Sequence, residues 1–445
     1  MKVKELRSRM LFVAGVIILC RVAATIPCPG VDPQALSDYF TQLSKNTGGD
    51  GGVFGIYNLF SGGALQKFAI ATLGIMPYIS ASIIITLLTP VLPSLEKLQR
   101  QGDVGRQKIN QYTRYLTVLI CVVQGAMAAT AMLSPSKIGL AKPARDLVIV
   151  GGPYFIIMTV IILTAGTMLL VWLGEQITKH GIGQGISLII TVNIVARLPQ
   201  AVGTLYEMAK TGGGITNASF RPVHVLILIL LFVAVTAATI LLTQGQRRIP
   251  IQMAKRAAGA KMKGGATTYM PLKINHSGVM PIIFASAILS FIIPAMAWIP
   301  YTRGWTVYFH YGNLGYMITY GTLIIVFSYF WVANQFNPLR IADNLKKEGA
   351  YVPGIRPGQP TADFLDRTMT RITLAGSLFL TALALFPMLL YSTLHIPPIV
   401  SRFFGGTSLL IIVGVMLDTL SQLEAHLVMR NYDGFIKHGR LRGRR

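Results

Sequence analysis

Ten separate stretches of this 445-residue sequence are apolar enough to be membrane helices, and nothing else in it limits the fold as strongly. They lie near 10–27, 75–93, 115–133, 153–174, 184–200, 222–243, 279–300, 315–334, 371–391 and 405–428. A hydrocarbon layer of about 30 Å takes about 20 apolar residues per helical crossing, so the pattern predicts one polytopic, all-α membrane protein with ten transmembrane helices. Charged residues make up 13% of the chain, against roughly 25% in soluble domains, which leaves too little polar surface for a water-soluble globule. The basic N-terminus runs into an apolar stretch that continues through Arg21 to Pro27, Pro29 and Gly30 without a small-residue cleavage site, which predicts a first span and not a removable leader.

Between the first two runs, GIYNLFSGGALQKFAIATLGIMP is weakly apolar and broken by glycines, which predicts a re-entrant half-helix inside the bundle. Irregular backbone at membrane depth survives only where protein or a water-filled cavity satisfies it. The net charge of +24 is distributed unevenly: 29 Lys and Arg fall on the side that carries both termini and 9 on the other, which predicts cytoplasmic termini. Ten spans divide into two groups of five, residues 1–200 and 222–445, joined by an external loop at 201–221. An odd number per half inverts one half relative to the other and places a functional path between them.

The expected interior is poor in chemistry. Arg21 is expected to snorkel outward from the end of span 1, Asp418 to sit toward the cytoplasmic end of span 10, and Glu175 and Lys179 to lie in the interface. An ion-coupled carrier needs more than these, because intramembrane charge is costly and is kept for function. Isoleucines are more suggestive: Ile79 and Ile83 are four apart, Ile186 and Ile190 repeat the spacing, and each pair shares a helix face. Spacing alone leaves two readings, ordinary core or lipid-facing isoleucine and a hydrophobic constriction.

The cytoplasmic loops carry most of the remaining signal. Segment 244–278 holds Arg247, Arg248, Lys255, Arg256, Lys261, Lys263 and Lys273 and no acid, more charge than topology and anionic-lipid contact require. It suggests a docking surface for an acidic or RNA partner. Segment 336–371 contains AYVPGIRPGQPT, whose prolines and glycines stiffen a tip that presents Arg356; the tail GRLRGRR is a third, less specific basic patch.

Catalysis and cofactors find no support. Cys20, Cys28 and Cys121 have neither disulfide-framework nor metal spacing; His180, His224, His276, His310, His395, His426 and His438 are scattered; GGDGG near 48–52 lacks the residues of a phosphate loop. No enzyme activity, metal or cofactor is expected. The Asn217–Ser219 glycosylation pattern is read as chance.

The motifs FSGGALQ, LGIMPYISASIII, QYTRYLTV, WLGEQIT with GIGQGIS, GQRRIP, PLKIN with GVMP and IFAS, ADNLKKEGAYVPGIRPG and FGGTSLLI closely resemble, in order, those of the SecY family of protein translocase channels. The resemblance implies ten helices in a two-half clam shell that passes unfolded secretory polypeptides across the cytoplasmic membrane. Transmembrane segments leave it sideways through a lateral gate. Motif by motif, it carries the family's pore ring onto Ile79, Ile83, Ile186, Ile190, Ile283 and Ile411. The plug falls at about 58–72, including Asn58, Ser61, Gly62, Gly63 and Ala64, and the gate on Gln124, Ser286 and Phe291. SecA ATPase and ribosome docking, the latter through rRNA, fall on Arg247, Arg248, Lys255, Arg256 and Arg356. SecE, SecG, signal peptides, nascent chains and anionic lipids are the other implied partners. The chain departs from the family at Pro90, which is expected to disturb the end of span 2, and in its external loops. An inverted-repeat carrier of small solutes is the competing reading.

Overall fold

The computed structural model describes residues 4–46, 61–134, 146–149, 151–211, 222–253, 257–258, 261–262, 267–298, 304, 308–309, 312–394, 400–401 and 406–438. Each of the ten apolar runs is helical: α1 (Lys4–Ala23), α3 (Met76–Leu88), α5 (Asp103–Leu133), α6 (Pro153–His180), α7 (Gly185–Val195), α9 (Pro222–Gln244), α10 (Met280–Trp298), α11 (Leu314–Gln335), α13 (Gln359–Leu394) and α14 (Gly406–His438). Four shorter helices fill the connections: α2 (Pro33–Asn46), α4 (Pro93–Arg100), α8 (Leu198–Thr211) and α12 (Pro338–Lys347). Among the described residues seven helices are long and apolar enough to cross a membrane by themselves, or eight if the bent pair α3 and α4 counts as one. That pair turns through 97° where Thr89, Pro90 and Pro93 interrupt the helix, the disturbance expected at Pro90.

Helices before residue 211 pack on those after it along two seams, α3 on α10 and α7 on α14. Within the first group α5 packs on α6 and α3; within the second, α11 packs on α13 and α10. The motifs QYTRYLTV and WLGEQIT, in α5 and α6, are joined by a fork: Arg114 Nε donates to Glu175 Oε1 at 3.0 Å and its Nη2 to Oε2 at 2.5 Å.

The all-α expectation needs one amendment. Loop 244–278 folds into β1 (Gln246–Met253), the short strands β2 (Ala257–Ala258) and β3 (Lys261–Met262), and β4 (Thr267–Lys273), with β5 (Ala350–Tyr351) completing a three-stranded antiparallel sheet in the order β4-β1-β5. Ile249 faces Met270 across the ladder, and Gln252 faces Tyr351. Alternation along QRRIPIQM explains the strand: Ile249 and Ile251 are buried, while Arg247, Arg248 and Pro250 between and before them are exposed. Ile249 and Leu272 pack with Val332 and Phe336 at the end of α11 and its exit, and with Leu365 and Met369 of α13, in a small core of their own.

The half-helix expected over 58–72 is also amended. Its described part, 61–72, is a chain of turns that continues to α3. Gly62, Gly63 and Gly74 adopt positive φ, and Phe68 does so at 43°, so helical φ/ψ is interrupted about every few residues.

Candidate functional site

The two seams bring together the side chains that sequence spacing left ambiguous. Ile79 and Ile83 of α3, Ile190 of α7, Ile283 of α10 and Ile411 of α14 are all less than a tenth exposed and belong to one apolar cluster; half-buried Ile186 packs against it. The same cluster contains Ala64, Ala69 and Ala71 from the turn segment, so that segment shares the isoleucines' apolar core. No Asp or Glu is buried among the described residues, and Arg197 is the one buried charged side chain. Asp418 is exposed, and Glu175 is engaged by Arg114. A carrier's midplane carboxylate is therefore missing from this region, whereas a surface without directional groups is what a seal around varied chains requires.

The turn segment is held at two places. At its base, Cys28 N–H donates to Phe68 O at 2.8 Å and Ile70 N–H to Ile26 O at 3.0 Å, an antiparallel bridge that pairs Pro27 with Ala69. Gly166 of α6 is needed beside it, since a Cβ there would lie 2.2 Å from Ile70 O. At its tip, Ser61 and Ala64 are buried and Ser61 Oγ accepts from Leu65 N–H at 3.4 Å. The Arg21 guanidinium reaches the tip from α1: Nη1 and Nη2 each donate to Gly62 O at 3.3 Å, and Nη1 also to Asn193 Oδ1 of α7 at 3.4 Å. Arg21 thus turns inward instead of snorkelling outward as expected. Its partners lie 41 and 172 residues away, and the signal that could have found it was the charge itself, inside an otherwise apolar span.

The other expected residues are placed as follows. Ser286 is buried on α10, where α3 packs, and donates to Ile283 O at 2.8 Å within its own helix. Gln124 is buried on the stripe of α5 that carries Cys121 and Gly125, and Gly125 faces Val160 of α6. Phe291 lies in α10 with its side chain outside the described atoms, and Asn58, Lys255 and Arg256 lie outside the described residues. Arg247 and Arg248 are exposed on β1 and Arg356 is exposed on the tip between β5 and α13. The tip is shaped by positive φ at Gly354 and Gly358 and closed by Thr361 Oγ1, which donates to Arg356 O at 2.8 Å. Sequence reading treated the two basic loops separately; β1–β5 pairing makes them one body.

Comparison with known proteins agrees with this geometry. The SecY family model matches residues 69–420. Protein translocase subunit SecY of Escherichia coli K12 is 42% identical, with 99% of this chain and 96% of that protein covered. The Chlamydia trachomatis serovar D subunit is 40% identical over 99% of this chain and 98% of its own length. Among solved structures, a protein-conducting channel aligns with a TM-score of 0.61 at 19% identity, covering 96% of this chain and 94% of that one. Sec61 of the canine ribosome–channel complex aligns at 0.57 and 18% identity, covering 96% and 94%. Ten apolar helices, two packed seams, an isoleucine cluster under a turn-rich insert and these matches lead to one conclusion: the chain belongs to the SecY family of protein translocase channel subunits.

Proposed function

We propose that this translocase subunit conducts unfolded polypeptides through a waist formed by Ile79, Ile83, Ile186, Ile190, Ile283 and Ile411, with segment 58–72 as the plug that closes it at rest. The observation that carries the reading is convergence: four helices from both sides of the 201–221 loop deliver these side chains to one apolar cluster that also holds Ala64. Isoleucines shift rotamers around a passing chain and offer it no hydrogen bonds, so the waist excludes ions without retaining substrate.

Residues 1–200 and 222–445 act as the two halves that part along the α3–α10 seam. A signal peptide or membrane segment leaves through that opening because each large apolar side chain transferred from water is worth about 1.5–3 kcal/mol. Ser286 and Phe291 of α10 border the opening, with Gln124 of α5 behind it. The protein resides in the cytoplasmic membrane with both termini inside, where anionic lipids meet its basic loops.

No nucleotide loop was found in the sequence, so the driving force comes from partners. SecA or a translating ribosome docks on the sheet that carries Arg247, Arg248 and, at its far edge, Arg356, together with Lys255 and Arg256; SecE and SecG complete the membrane complex. The ribosome-bound Sec61 neighbour supports a ribosome partner. A single cysteine at Ile83, in a chain whose Cys20, Cys28 and Cys121 are replaced, tests the path. It should crosslink to a stalled export substrate carrying a thiol-reactive group. Crosslinks from an exposed α9 position such as Leu230 with none from Ile83 would move the path elsewhere.

A further inference from the structure

We propose that Arg21 is a releasable latch on the plug tip, so that opening this channel requires its guanidinium to let go of the Gly62 carbonyl. The inference rests on the plug reading above and adds to it the group that sets how often the plug leaves. Its basis is the unequal holding of the two ends of one segment. The base is fixed by backbone hydrogen bonds of 2.8 and 3.0 Å to Ile26 and Cys28, on a stretch continuous with α1. The tip is reached by the Arg21 side chain, through two contacts of 3.3 Å to Gly62 O, while a third of 3.4 Å ties the same guanidinium to Asn193 of α7. The common range for N–H···O bonds is about 2.7–3.2 Å, so the Arg21 contact is longer than either bond at the base and is the easier of the two to release.

Three features make this contact specific. Gly62 stands at φ +65, and a Cβ there would lie 2.5 Å from Arg21 Nη1 and 3.0 Å from Asn193 Oδ1, so the tip is shaped to let the arginine in. A carbonyl that accepts from two guanidinium nitrogens gains charge-assisted bonds that neither an apolar residue nor water entering a closed tip would replace. Asn193 stands on α7, the helix that also carries Ile186 and Ile190, and α1 itself packs on α7. Displacement of α7 when a chain enters the waist therefore pulls at the same guanidinium that holds the plug, coupling the two events through one side chain.

The test measures resting ion conductance of the translocase complex in planar bilayers. Arg21→Met keeps the stem and removes the fork, and should raise the resting open probability about tenfold, the equivalent of about 1.4 kcal/mol. Arg21→Lys, a point charge without the fork, should fall between parent and Met. In a complex whose plug residues 61–64 are deleted, conductance should already be high and Arg21→Met should add nothing. Parent-like conductance for Arg21→Met beside a leaky plug deletion overturns the latch and spares the plug; a tight plug deletion overturns both. If Arg21→Met does not accumulate in the membrane, Gly62→Ala reads the same contact from the opposite side. It must then raise conductance in a plug-dependent way, and a parent-like value overturns the latch.

Discussion

The isoleucine cluster proposed as the waist and the β4-β1-β5 sheet are both built from apolar residues at regular spacing, yet they present opposite faces to the outside. At the proposed waist the isoleucines of α3, α7, α10 and α14 belong to or pack against one apolar cluster, and no carboxylate is buried among the described residues. In the sheet Ile249 of β1 turns inward onto α11 and α13, while Arg247 and Arg248 stay exposed on the same strand. On the proposed reading, one region handles any chain because it binds none, and the other offers charge that a partner can recognise. Damage to the first should thus appear as lost ion exclusion, and damage to the second as lost drive.

The comparison breaks most directly at the waist. Replacing Ile83 and Ile190 with glycine removes two side chains whose burial is worth about 1.5–3 kcal/mol each, and should raise resting ion conductance at least tenfold in planar bilayers. Unchanged conductance would place the seal elsewhere. On the sheet side, Arg356→Glu should slow motor-driven export about tenfold in inverted vesicles, with resting conductance and membrane levels unchanged, because a loop-tip charge acts on docking and its salt dependence. Normal export would remove Arg356 from the platform.

Two smaller effects sharpen the division. Arg114→Gln breaks the α5–α6 fork with Glu175; since Arg114 is about 41% exposed, the loss should be only about 1 kcal/mol in thermal unfolding. It should alter neither conductance nor docking, and a leak in this variant would tie the fork to the waist. The smallest effect concerns His276, at the entry to α10, whose ring packs edge-on against Phe336 at 5.9 Å. Burial, and then neighbouring Lys273, hold its pKa below the usual imidazole value. The unfolded chain therefore binds this proton more readily, so the His276 contribution is complete above about pH 6.5 and is lost as pH falls toward the folded-state pKa. Melting at pH 7.5 and 5.5 should show a drop that His276→Gln lessens; equal drops would show that the ring carries no such linkage.

Much of the fold was legible because membrane burial is written locally. Each of the ten apolar runs became a helix, and Pro90 marked the bend between α3 and α4. Ile79 with Ile83 and Ile186 with Ile190 were visible as helix-face pairs, but the same spacing suits lipid contact; family resemblance supplied Ile283 and Ile411. The strand over QRRIPIQM is masked in the sequence by the seven basic residues of segment 244–278, two of them its own, although its Ile249–Ile251 alternation is present. The turns over 61–72 were read as half-helix because a stretch of Ala, Leu and Phe suits either form, and the positive φ values of Gly62, Gly63 and Phe68 exclude helix.

By itself the sequence determined the number of apolar runs and the stiff tip around Arg356, since each depends on residues within a turn or a span of one another. Tertiary structure decided which isoleucines meet, which strand of one basic loop pairs with the other, and where Arg21 points. Those outcomes depend on contacts between distant parts of the chain, 41 and 172 residues apart for Arg21, where a polar group in an apolar bundle goes to whatever carbonyl or amide the packing brings within reach.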